Sequence, residues 1–72
     1  MNNERLSIML SYINRLQEIV DELQSQAAGW IKLYPEHHEI AHDAFAVIIT
    51  TQTITAAINN LKAYCDSCLE SD

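Results

Sequence analysis

Apolar positions in the first half of the chain recur with a seven-residue period. Leu6, Ile13, Val20, Ala27 and Tyr34 stand seven apart, and Met9, Leu16, Leu23 and Trp30 form a companion series three residues on. Steps of three and four keep side chains on one side of an α-helix, so the pattern predicts a helix that packs one face on a partner helix. Leu10, Ile19, Ile31 and Leu33 widen the stripe beyond a two-stranded seam, and a wide stripe suits a bundle of three or four helices. Asn3 stands where an N-cap is expected, and Glu4 stands where the helix dipole favours an acid. Gly29 leaves two alternatives. It either ends the helix after Ala28 as a C-terminal glycine or is carried through at about 1 kcal/mol, and the heptad phase beyond it favours continuation.

Pro35 sets the boundary. It pushes Tyr34 toward extended backbone and is itself favoured at a first helical position, with Glu36 and Glu39 following in the first turns. Helix one is expected over about 4–33, the turn at about 34–35 and helix two over about 36–69. The predicted seam of helix two is Ile40, Ala44, Val47, Thr51, Ile54, Ile58, Leu61, Cys65 and Cys68. So short a connection makes the helices antiparallel neighbours. The expected fold is all-α, a single two-helix antiparallel hairpin.

A second apolar patch on helix two, Ala41, Phe45, Ile48 and Ile49, lies off the seam. A helix that is apolar nearly all round is normally buried on more than one side, which one partner helix cannot do. The hairpin is therefore expected to dimerise into a four-helix bundle, a coiled-coil-like assembly. Thr51, Thr53 and Thr55 lower local helix propensity and leave this helix dependent on packing.

Composition sharpens the picture. With 72 residues the chain is one domain at most, and so small a core calls for a partner, a metal or a disulfide. Apolar residues make up 49% of it, which argues against disorder. The balance is acidic, ten Asp/Glu against four Lys/Arg, and the cations Arg5, Arg15, Lys32 and Lys62 are scattered. No cluster exists to neutralise phosphates, so nucleic acid is not an expected partner. Residues 44–61 carry no formal charge and nearly reach the length of a membrane span. Thr50, Thr51, Gln52, Thr53, Thr55, Asn59 and Asn60 interrupt that stretch, and no membrane association is expected. No signal peptide is visible at the start and two cysteines define no disulfide framework, so a cytoplasmic location is expected.

Three short patterns could carry chemistry. His38-Glu39-Ile40-Ala41-His42 resembles the H-E-x-x-H motif of zinc metalloproteases. There two histidines one turn apart hold zinc and the glutamate acts as base toward its water. His38, Glu39 and His42 are thus the metal-ligating candidates. The resemblance covers five residues, no third ligand or cleft accompanies it, and the segment is read as a polar first turn. Glu39-x-x-His42 also resembles a half-site of di-iron carboxylate bundles, whose ligands must project into a core that these residues do not face. Cys65-x-x-Cys68 has thioredoxin-type spacing, yet a redox pair needs a helix N-terminus and this one is near a C-terminus; both cysteines are read as packing residues. His37 is the histidine nearest the seam and is expected to be packed.

Trp30, Tyr34 and Phe45 are expected near the turn, where aromatics either cap a small bundle or anchor a partner. No nucleophile–base set is evident, no cofactor is expected, and the chain is not expected to be an enzyme. The sequence points to a non-enzymatic protein–protein interaction module, a small adaptor or inhibitor of a larger protein, that pairs with itself and with another protein. Its interaction residues are expected to be Trp30, Tyr34, Phe45, Ile48 and Ile49. The alternatives are a purely structural homo-oligomeric bundle and a metal-binding protein or hydrolase built on His38, Glu39 and His42.

Overall fold

A computed structural model describes residues 3–70, with the side chain of Glu70 left aside. The chain forms two antiparallel helices, α1 over Glu4–Leu33 and α2 over His38–Glu70, in an all-α hairpin 56 Å long. Asn3 occupies the N-cap place of α1, and its carbonyl accepts the Ser7 N–H at 3.0 Å. Its backbone is already helical, and its side chain makes no capping bond. The helix runs through Gly29, where an added Cβ would meet nothing within 4 Å.

The turn is longer than the sequence predicts, and α2 begins at His38 rather than Glu36. The Tyr34 N–H closes α1 on the Trp30 carbonyl at 3.0 Å, and the His37 N–H returns to the Tyr34 carbonyl at 3.2 Å. Pro35 thus sits at the second position of a four-residue turn, where its fixed φ is favoured, instead of opening a helix. The His37 carbonyl then receives the Ala41 N–H at 3.0 Å and starts α2.

The core is one row from each helix. Ile13, Val20 and Ala27 of α1 are buried, as are Ala44, Thr51, Ile58 and Cys65 of α2. Each row steps by sevens: the α1 row belongs to the first predicted series, and the α2 row is every second residue of its predicted seam. Small residues dominate the α2 row, which lets the helices approach closely. The Thr51 hydroxyl, fully enclosed, donates to the Ile48 carbonyl at 2.8 Å and so costs the core no unpaired donor.

The companion series of α1 is a correction. Met9 is half-buried, but Leu16, Leu23 and Trp30 lie exposed. The residues that flank the α1 core row inside the hairpin are Leu10, Gln17, Gln24 and Ile31, four positions on from each core residue instead of three. On α2 the predicted companions Ile40, Val47, Ile54 and Cys68 are half-buried, and Leu61 is exposed. They share the flanking role with Ala41, Ile48, Thr55, Lys62 and Leu69.

Candidate interaction surface

Helix geometry sorts these flanks into two faces of the hairpin. From a core position, a step of three lands about 60° to one side and a step of four about 40° to the other. In an antiparallel pair both three-step flanks emerge on the same side. The three-step face therefore carries Met9, Leu16, Leu23 and Trp30 of α1 beside Ile40, Val47, Ile54, Leu61 and Cys68 of α2. Two hollows confirm the juxtaposition. Leu23 shares a groove of about 230 Å³ with Ala46, Val47, Thr50, Thr51 and Ile54. Nearer the turn, Trp30 and Tyr34 share one of about 340 Å³ with Ile40 and Asp43. The four-step face carries Leu10, Gln17, Gln24 and Ile31 beside Ala41, Ile48, Thr55, Lys62 and Leu69. Here Gln17 spans the helices, its Nε2 donating to Thr55 Oγ1 at 3.4 Å and to Asp21 Oδ1 at 2.7 Å.

The three-step face is open. Leu16 is 47% exposed, Leu23 43% and Leu61 42%. Further round the same side of α1 stand Tyr12, Ile19 and Leu33, and on α2 Thr50, Ala57 and Tyr64; Ile19 is 61% exposed. Positions 12, 16, 19, 23, 26, 30 and 33 thus form a second heptad seam on α1, apolar and built of large side chains except at Gln26. The Arg15 guanidinium lies 5.6 Å from the Tyr12 ring centre, a cation–π contact on the outer rim.

The predicted interaction residues divide between two places. Trp30 and Tyr34 border the three-step face at the turn, with the Tyr34 and His37 rings edge-to-face at 5.9 Å. Phe45 stands about 140° round α2 from Ile40. It is 55% exposed and pairs by helical spacing with exposed Ile49, while Ile48 is half-buried in the four-step face. Phe45 thus does not join Trp30 and Tyr34 in one aromatic cluster. The residues that sequence analysis left out of the surface are Leu16, Ile19, Leu23, Leu61 and Tyr64; Leu16, Leu23 and Leu61 had been assigned to the hairpin seam. Their signal was the excess width of the stripe.

His38, Glu39 and His42 line a shallow depression with Asp43, and all four side chains are exposed. His42 Nδ1 lies 3.8 Å from Asp43 Oδ1, both nearly fully in solvent. Among the described residues no three His, Cys, Asp or Glu side chains are grouped to hold a metal ion. His37, expected to be packed, is exposed, its ring edge-to-face with that of Tyr34. The longer turn accounts for this, since it leaves His37 outside the helix.

At the far end Cys65 is in the core and Cys68 half-buried, both as thiols. The Tyr64 phenol, one turn before Cys68, is held above its ordinary value, first by its hydrogen bond with Cys68 and then by the charge effect of that thiol. From His38 to Leu69, α2 is long and apolar enough to cross a membrane by length and composition alone. α1 lies along it, however, with Glu18, Asp21 and Glu22 exposed at mid-length, and a spanning hairpin would carry these into hydrocarbon at high cost. Comparisons with protein-family models, curated proteins and solved structures find no match to this chain.

Proposed function

We propose that the chain is a non-enzymatic, cytoplasmic protein–protein interaction module that works as a homodimeric four-helix bundle and holds a larger protein as an adaptor or inhibitor. One observation carries the reading: the hairpin has a continuous apolar face that its own two helices do not cover, running from Met9 and Leu61 to Trp30 and Ile40. Monomeric soluble proteins seldom leave so large an apolar surface in water. A second hairpin laid on this face turns two helices into four and supplies the core that so short a chain otherwise lacks.

The adaptor role rests on what such pairing leaves behind. Phe45 and Ile49 point away from the three-step face and stay exposed after it is covered. Exposed aromatic and aliphatic neighbours on one helix are the kind of anchor that a partner groove receives. The competing reading, a purely structural oligomer, requires this patch to be covered by further copies. Solvent paramagnetic relaxation measured by NMR on the native assembly separates the two. The adaptor reading expects Leu23, Trp30 and Leu61 protected with Phe45 and Ile49 accessible. Protection of Phe45 and Ile49 as well would replace it with the structural oligomer, and accessibility of Leu23 and Leu61 would remove the dimer.

A further inference from the structure

We infer that a second copy of this chain docks on the three-step face with both turns at the same end of the bundle, so that α1 of each hairpin lies over α2 of the other. The inference rests on the homodimer proposed above and specifies its arrangement. A face of 56 by 15 Å presents on the order of 800 Å², which is what a standard interface takes from each partner. A second copy is therefore sufficient to cover it.

The two helices contribute unlike halves to that face. The α1 half is a ridge of large side chains, Tyr12, Leu16, Ile19, Leu23 and Trp30. The α2 half is lower at mid-length, where Ala46, Val47, Thr50, Thr51 and Ile54 line the 230 Å³ groove with Leu23 of α1 as its other wall. Val47, Thr50, Thr51 and Ile54 are spaced as the four corners of a hole that receives one knob from a facing helix. Two arrangements bury the face. With the turns at opposite ends, ridge meets ridge and groove meets groove, and Ile19 is set against the partner's Ile19. With the turns together, each ridge enters the other copy's groove, and large side chains face small ones as close packing requires.

Register agrees with the second arrangement. Gln17 bridges to Thr55 and the turn joins Leu33 to His38, so levels match across the hairpin where residue numbers sum to 71 or 72. A copy turned about an axis parallel to the helices then brings Ile19 within one turn of the partner's Thr50, at the groove, and Tyr12 within one turn of the partner's Ala57. It also sets Gln26 beside the partner's Asp43 and Arg5 beside the partner's Tyr64, so the two charged residues on the rim meet an amide and an aromatic face. The opposite arrangement sets Arg5 against the partner's Leu33 and Asp43 against the partner's Ala57, and leaves both charges beside apolar groups.

A nitroxide pair placed at the turn tests the arrangement. Glu36 is exposed in the turn, and Glu36→Cys in a Cys68→Ser background gives one accessible label per chain, Cys65 being buried. The distance between labels in the dimer is read by pulsed electron resonance, with the mass measured on the same sample. The account expects a dimer with a label distance of bundle width, roughly 15–25 Å from interaxial spacings. A dimer with labels separated by nearly the 56 Å length of the hairpin would overturn the arrangement and leave the proposed function standing. A folded monomer would overturn both.

Discussion

The two flanks of the hairpin seam are built from neighbouring residues of the same helices, yet they end differently. On the four-step flank, Gln17 of α1 faces Thr55 of α2 and its amide closes the gap between helices, while Gln24 lies level with Ile48 and Lys62 level with Leu10. That flank is polar at mid-length, with Leu10, Ile31, Ala41 and Ile48 half-buried to either side. On the three-step flank the corresponding residues are Leu16 and Leu23 against Ile54 and Val47, and no polar side chain among the described residues bridges the helices there. A single residue of offset thus separates a finished surface from an unfinished one. The lesson is that the apolar pattern of the chain is wider than the seam the hairpin buries, and the proposed second copy is the reading given to that surplus.

Substitutions that separate the seam and the flanks break this comparison in order of size. Ile58→Ala removes a buried core side chain beneath both flanks and should cost about 2–5 kcal/mol, read from urea unfolding. Retention of full stability would place the core elsewhere. Leu23→Glu puts a charge in the open groove, and its expected result is an intact helical spectrum with the solution mass halved. Gln24→Glu, its neighbour on the other flank, should leave the mass unchanged; if both or neither dissociate, the flanks are not different in kind. Gly29→Ala has room for its methyl and should stabilise α1 by about 1 kcal/mol in thermal melts of the assembly. The smallest effect concerns the end of the open face. The Tyr64 phenol is held above its ordinary 10.0 chiefly by the Cys68 hydrogen bond. The raised value favours the protonated phenol in the folded chain, so its contribution is complete below pH 10.0 and fades as pH rises through the raised value. Cys68→Ala should bring the Tyr64 ring titration, followed by NMR, back toward the ordinary value.

The hairpin was legible because Pro35 is a strong boundary and each helix carries one unbroken seven-residue row at its core. Ile13, Val20 and Ala27, and Ala44, Thr51, Ile58 and Cys65, are where the periodicity puts them. The companion row of α1 was misassigned for a physical reason. Three-step and four-step neighbours flank the same core residue at similar angles, and hydrophobicity favours Leu16 over Gln17 and Leu23 over Gln24. That ranking reports which side of a helix is to be covered, not which element covers it. The same limit applies at the turn, where Phe45 looked like a companion of Trp30 and Tyr34 until the position of α2 set it on another side. The turn itself was shortened in the prediction because Pro35 is equally at home opening a helix and opening a turn. For His38, Glu39 and His42 the spacing was visible, and their exposure agrees with a polar first turn.

The central claim is that the open face of the hairpin is filled by a second copy. Light scattering of the purified protein across a concentration series, with helicity followed in parallel, tests it most directly. The account predicts a helical species of twice the 8.2 kDa chain mass, dissociating only on dilution. A well-folded species that stays at 8.2 kDa at every concentration would contradict it.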